Sequence, residues 1–341
     1  MAFAIDWLNT FAEHVEQIDV ITMHVGAYQG RYNVRVYSVG KEKGYSELRR
    51  FIEFYRILFH LLIHNKYDAC FAHMMPLFAA MAAPLLRVYK VPLVLWYTHK
   101  SINLILRLAT LFASRVMTAS KESFRIQTEK IRIIGHGIDT DKFTPAEKIK
   151  TSNGQFTVLT VTRLSPIKRV DLLIKAVALL RLRRPELSIC LKIVGGPLTD
   201  RDHFYVAELE KLVKKYHLQD STVFEGSIPF RDIVHHYQQA DCFVNMSETG
   251  SIDKSVLEAM SCGIAVIVNP VFTRVLGREF ARKWVINWDV QKLSDRLQLL
   301  ATMSASERQR LGLKLREIVV RDHKLNDLCR KILREIEIIT K

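Results

Sequence analysis

At 341 residues the chain is too long for one small core and suits two domains of ordinary size. A hydrophobic fraction of 49% with 25% charged residues excludes a disordered chain. Five scattered cysteines (Cys70, Cys190, Cys242, Cys262, Cys329), with neither a CxxC pair nor a Cys/His cluster, argue against structural zinc and disulfides and fit a reducing compartment. The formal net charge of +15 calls for a phosphate-bearing partner: nucleic acid, an anionic membrane surface or a phosphorylated small molecule. No helix-turn-helix, ribonucleoprotein or zinc-finger spacing accompanies the charge, so nucleic acid is the weakest of the three and is set aside.

Asp6, Glu13 and Glu16 interrupt any secretory signal near the start, and the longest apolar run, Met74 to Leu86, is too short to span a bilayer and holds Pro76 and Pro84. A cytoplasmic protein is expected, peripheral on the inner membrane surface at most. Phe3, Trp7, Phe11 and Val15 recur at helical spacing, followed by a strand-like run from Ile18 to Val25. A parallel α/β domain normally begins with a strand and a glycine-rich loop, yet no glycine precedes Gly26. The reading here is a chain that starts late, lacking one strand and its loop.

Asn33 to Ser38 reads as a strand and Tyr45 to His64 as a long amphipathic helix. The helix is expected to cover a sheet; a face toward acidic lipid headgroups is the sharper alternative. Strands at Asp68 to His73, Val91 to Tyr97 and Arg115 to Thr118 alternate with helices from Pro76 and over 102–113, and Ala119-Ser120-Lys121-Glu122 resembles a helix start. The polar stretch Lys148 to Gly154 reads as a linker. A second run then begins, with strands at Phe156 to Val161, Leu187 to Val194, Thr222 to Glu225 and Cys242 to Met246. Helices over Val170 to Leu182, Phe204 to His217 and Phe230 to Gln238 separate them. From Ser304 onward the pattern is two charged amphipathic helices. The sum is an α/β chain of two doubly wound domains with a cleft between them, divided as 1–148, 149–323 and a C-terminal helix, 324–341, packing back on the first domain.

Two stretches carry chemistry. Thr162 to Lys168 follows the first strand of the second domain, where open α/β sheets bind ligands, and it brings Arg163 and Lys168 as cations for a diphosphate. Ser247 to Pro270 is a polar loop with Thr249, Gly250 and Ser251, then a short helix, a glycine and a buried strand. That is the layout of an anion site on a helix N-terminus. Glu258, the one acid in that apolar helix, is placed to accept ribose hydroxyls. His99 ends a strand of the first domain, where it can bond a substrate hydroxyl or move a proton; His73, His136 and His60 suit buried structural roles. Walker A, GxSxG, HExxH and paired-carboxylate patterns are absent.

VTRLSPIKRVDLLIKAVALL, VFEGSIPFRDIVHHYQQADCFVNMS and VLEAMSCGIAVIVNP, in that order, with GHGIDTDKFTP before the linker, resemble the retaining group 1 (family 4) glycosyltransferases of the GT-B fold. The resemblance covers most of the chain and implies a sugar transferred from a nucleotide-diphosphate sugar to a glycan or lipid-linked acceptor. It implies retention of configuration, with neither metal nor cofactor and the nucleotide sugar as substrate. It further implies that Arg163 and Lys168 hold the diphosphate, Glu258 the ribose and His99 the transferred sugar, with Ser227 and Ile228 near the base. One departure is plain. The family carries an EGFG loop, with its glutamate eight residues before the ribose glutamate; here that position is Gly250 and the loop reads TGSIDK. Sugar recognition is expected to differ or to pass to Asp253 or Lys254, with Lys254 as a third cation on the diphosphate. A sugar-nucleotide-binding protein of the same fold with impaired catalysis is the alternative.

Overall fold

The computed structural model describes residues 3–26, 30–147 and 154–340, with side chains from residue 5 onward. The chain forms two compact units, Met1–Gly137 with Leu325–Lys341, and Ile138–Lys324. Phe3 of the expected first helix face and residues 148–153 of the expected linker lie outside the described side chains.

The first unit runs α1 (Phe3–Ala12), β1 (Ile18–Thr22), β2 (Val34–Ser38), α2 (Glu47–His64), β3 (Cys70–His73), α3 (Pro76–Val88), β4 (Leu93–Trp96), α4 (Leu104–Phe112), β5 (Arg115–Thr118) and β6 (Ile131–Ile133). All its pairings are parallel: β1 with β2, and the order β3-β4-β5-β6. Parallel strands need crossover helices, which is why helix and strand alternate. α2 starts where the Ser46 hydroxyl accepts the Arg49 N–H (3.3 Å) and buries Phe54, Ile57, Leu58, Leu61 and Leu62, the stripe that helical period places on one side. It therefore covers the core, as expected. Ala119 to Glu122, expected to open a helix, instead leads into one 3-10 turn, Lys121–Ser123, because Ser120 and Ser123 bond each other (2.9 Å) and the next residue returns to extended backbone.

The second unit continues with β7 (Gln155–Val161), α5 (Val170–Arg183), β8 (Ser188–Val194), α6 (Asp200–Lys215), β9 (Thr222–Gly226), α7 (Ile233–Gln238), β10 (Cys242–Asn245), α8 (Lys254–Ser261), β11 (Ala265–Val268), α9 (Thr273–Trp284), α10 (Val290–Thr302) and α11 (Ala305–Asp322). Its parallel sheet has the order β11-β10-β7-β8-β9. The chain therefore winds outward from β7 through β8 to β9, then returns to the other side of β7 for β10. That reversal opens a crevice at the C-terminal ends of β7 and β10, the place where such sheets bind ligands. Val158, Leu159, Leu191 and Ile193 are fully buried, as strands covered on both faces require, each worth about 1.5–3 kcal/mol.

The last helix, α12 (Leu325–Thr340), belongs to the first unit. Its Leu328, Cys329 and Ile332 pack with Trp7 and Phe11 of α1 against Val94, Trp96 and Met117. Leu93 and Leu95, the alternate residues of β4, face the opposite core with α2, α3 and α4. The unit is thus three layers deep.

Candidate active site

The crevice of the second unit is built from loops that are tied together by backbone. Leu164 N–H donates to the Gly196 carbonyl (3.1 Å), Gly195 N–H to Gly226 (2.8 Å) and Glu248 N–H to Ile167 (2.8 Å). The loops after β7, β8, β9 and β10 are thereby held in one rim. Gly195 is obligatory there: its φ is +129°, and an added Cβ would sit 1.8 Å from the Thr162 carbonyl oxygen.

Lys168 ends the 3-10 turn that follows β7 and reaches across the crevice to Asp253, with Nζ 2.8 and 2.9 Å from the two carboxylate oxygens. Both side chains are largely buried, at 14% and 17% exposure. Asp253 is the N-cap of α8, the position where a carboxylate normally accepts the first free helix N–H groups. Here it makes no such bond and turns to Lys168 and to Asn245 Nδ2 (3.0 Å), itself fixed by Asn269 (3.0 Å). The carboxylate that would quench the positive end of α8 is spent on the lysine instead.

Arg169 makes a second tie. It sits in the left-handed region (φ 52°), donates to Asp171 (3.2 Å) and ion-pairs with Glu248. Glu248, two residues ahead of the position where the resembled family has its first glutamate, is thus engaged with Arg169. Arg163 is exposed, 3.4 Å from the Ser165 hydroxyl and 3.9 Å from Asp202. Ser227 is exposed and stands over Gly196, whose added Cβ would meet its hydroxyl at 2.7 Å; Ile228 is half-buried on the core. Gly250 and Ser251 lie in a loop whose hydroxyls face one another, Ser247 to Thr249 at 3.0 Å and Ser251 to Thr249 at 3.4 Å. Lys254 opens α8, half-buried.

Glu258 is 8% exposed and accepts a hydrogen bond from the Tyr237 hydroxyl (2.8 Å). Burial, and then the neighbouring carboxylate, push the Tyr237 phenol well above its ordinary pKa, so it stays a donor. The bond fixes the glutamate's orientation. Tyr237, Arg169 and Asn245 were missed by reading the sequence; no local signal marks them, since their partners lie on other elements.

His99 belongs to the first unit, exposed at the end of β4. The Ser101 N–H donates to its Nδ1 (3.1 Å), and the Ser101 hydroxyl lies 2.7 Å from the same atom. A ring nitrogen that accepts a backbone N–H carries no proton in the neutral ring, so Nε2–H is the free donor. His73 is half-buried, tilted against Trp7 (4.8 Å) and stacked on Trp96 (6.4 Å), and His136 is buried. His60 is exposed on α2 against His64 (4.3 Å), in contrast to the buried role expected of it.

Among the described residues no group of three or more His, Cys, Asp or Glu is placed to hold a metal ion. A hollow of about 730 Å3 opens between α5 and α6. It touches the crevice through Ile167, Arg169 and Glu248, but none of Arg163, Lys168, Asp253 or Glu258 lines it.

The sequence profile of the group 1 glycosyl transferases matches residues 141–317, more than half of the chain. Mannosylfructose-phosphate synthase of Agrobacterium fabrum is 28% identical over 154 residues, 43% of this chain and 34% of that protein. D-inositol 3-phosphate glycosyltransferase of Pseudarthrobacter chlorophenolicus is 31% identical over 149 residues, 42% and 34% of the two chains. The matched segment thus spans about a third of these relatives. Among solved structures, Anabaena HepE in complex with UDP and glucose superposes with a TM-score of 0.76 at 18% identity, over 98% of this chain and 95% of that one. Sucrose-phosphate synthase from Thermosynechococcus elongatus gives 0.77 at 16% identity, over 99% and 92%. With its two doubly wound α/β units and its profile match, the chain belongs to the group 1 glycosyltransferases and has the GT-B fold.

Proposed function

We propose that the chain transfers a hexosyl group from a nucleoside-diphosphate sugar to a glycan or lipid-linked acceptor, with retention of configuration and without a metal ion. The observation that carries this reading is the crevice at the sheet's switch point, where Lys168 meets the N-cap of α8 and the exposed Arg163 stands on the same loop as Lys168. A departing nucleoside diphosphate gains negative charge in the transition state. A guanidinium, an ammonium and a helix dipole fixed in a rim of bonded loops stabilise that charge without reorganising, the task a divalent ion performs elsewhere. Glu258, oriented by Tyr237, takes the ribose hydroxyls; Ser227 and Ile228 border the base; Gly250, Ser251, Asp253 and Lys254 line the sugar and phosphate side. His99 offers Nε2–H to a hydroxyl of the transferred sugar. Neighbours bound to UDP and to UDP-glucose are consistent with such a donor. The five free thiols fit a reducing compartment, so the reaction is assigned to the cytoplasm, at the inner membrane surface when the acceptor is a lipid.

Arg163→Ala and Lys168→Ala are each expected to lower kcat/KM by about two orders of magnitude, since each removes a charge-assisted contact to the leaving group. Undiminished turnover in both variants would sink the assignment.

A second reading is favoured by Lys168 itself. Its charge is already matched by Asp253, and Gly250 supplies no carboxylate to the sugar. On that reading the chain binds the sugar nucleotide and turns it over little. Calorimetry that detects nucleotide binding, with donor left intact against glycan and lipid acceptors alike, would decide for it.

A further inference from the structure

The layer formed by α2, α3 and α4 covers its sheet with one face and leaves a second apolar face in solvent. α4 reads LILRLATLF; Leu106 and Ala109 enter the core, whereas Leu104 is 71% exposed, Leu111 65%, Phe112 44% and Leu108 40%. α3, packed along α4, exposes Val88 at 74%. α2, packed along α3, exposes Phe51 and Phe59. Apolar side chains scattered singly over a surface are ordinary, but a row of them on one short helix marks an interaction site.

Charge says what kind. Between Asp68 and Glu122 the sequence contains no acidic residue, while Arg87, Lys90, Lys100, Arg107, Arg115 and Lys121 fall within that interval. Arg115 is turned to Glu335 of α12, but Arg87, Lys90 and Arg107 are exposed on or beside α3 and α4. A second copy of the chain would bring the same cations against themselves, with no acid of this interval to answer them. An anionic bilayer answers both features, burying the leucines at the acyl boundary and pairing the cations with phosphates. No helix of the described residues is long and apolar enough to cross a membrane, so the contact would lie on the surface.

We propose that the outer face of α3 and α4 rests on an anionic lipid surface, with Leu104, Leu108, Leu111 and Phe112 inserted and Arg87, Lys90 and Arg107 on headgroup phosphates. This deepens the reading of a lipid-linked acceptor and rests on it for purpose, but the contact itself needs neither donor nor transfer. The test is co-sedimentation at low salt with vesicles of phosphatidylcholine plus phosphatidylglycerol, against phosphatidylcholine alone. The chain is expected to bind the former and to bind the latter far more weakly. Leu104→Ser/Leu108→Ser/Leu111→Ser is expected to lower the partition coefficient by about tenfold or more, and Arg107→Gln alone by about fivefold. The melting temperature should hold in both, because these side chains are exposed; should the triple variant melt early, Leu104→Ser paired with Arg107→Gln serves instead. Absence of binding to anionic vesicles, or a leucine variant that binds like the parent, overturns the proposal. So does a parent dimer that the leucine variant converts to monomer, since a second copy would then be the occupant. Vesicle binding without any glycosyl transfer would count against the proposed function and leave this surface standing.

Discussion

Lys168 has two anions competing for it, the carboxylate of Asp253 that it already holds and the diphosphate of an incoming donor. The two cannot share one ammonium at full strength, because its donors point to both Asp253 oxygens. Asp253→Asn keeps the side chain's size and its contact with Asn245 while removing the competing charge. Affinity for nucleoside diphosphates is therefore expected to rise on the order of tenfold, from the release of one close charge pair. Titration calorimetry checks it, and an affinity equal to or below the parent's would show that Asp253 serves the donor directly. The double variant Lys168→Ala/Asp253→Ala should cost less affinity than Lys168→Ala alone, in which an unpaired carboxylate is left beside the phosphates. Reading the sequence could find Lys168 and Glu258, because each sits at a fixed place in a strand-loop-helix unit. It could not find that Lys168 points to Asp253. That partnership spans 85 positions and depends on β10 returning beside β7, a fact of sheet order that no local pattern contains.

Helices and strands with strong periodicity were legible in kind, and their ends were not. α6 was expected from Phe204, where the apolar spacing begins, yet it starts at Asp200. The signal lay outside the apolar pattern: Thr199 accepts the Asp202 N–H (3.3 Å) while Asp202 accepts the Thr199 N–H (3.2 Å), a capping box three residues apart. α9 escaped altogether because five of its twelve residues are charged and because Gly277 breaks it, with φ 72° and ψ 169° in mid-helix. That conformation is nearly closed to side chains, so Gly277→Ala is expected to cost about 1–3 kcal/mol of stability. Urea unfolding measures it. A neutral substitution would mean that the two halves of α9 can align into one straight helix without cost.

Two doubly wound units could be read from the chain because strand and helix alternate in two long runs, and that alternation is enough to fix the class of fold. The last helix, expected to pack back on the first domain, does so, and the contacts that hold it there are what the alternation does not contain. α12 follows the second unit in sequence and belongs to the first in space, where Ile332 is fully buried with Trp7, Trp96 and Met117. The first unit therefore depends on residues that follow the whole second unit in sequence. Its core on that side is closed by two helices, α1 and α12, from opposite ends of the chain. Ile332→Ala should remove about 2–5 kcal/mol from this unit by opening a cavity beside β4 and β5. The second unit keeps its own core of β7, β8, α5 and α8 and contains none of these contacts. Hydrogen exchange on the variant is accordingly expected to quicken in α1, β4, β5 and α12 and to stay at the parent's rates in β7 and β8. Equal loss of protection in both units would show that they unfold together, and that the core closed by α12 sets the stability of the whole chain.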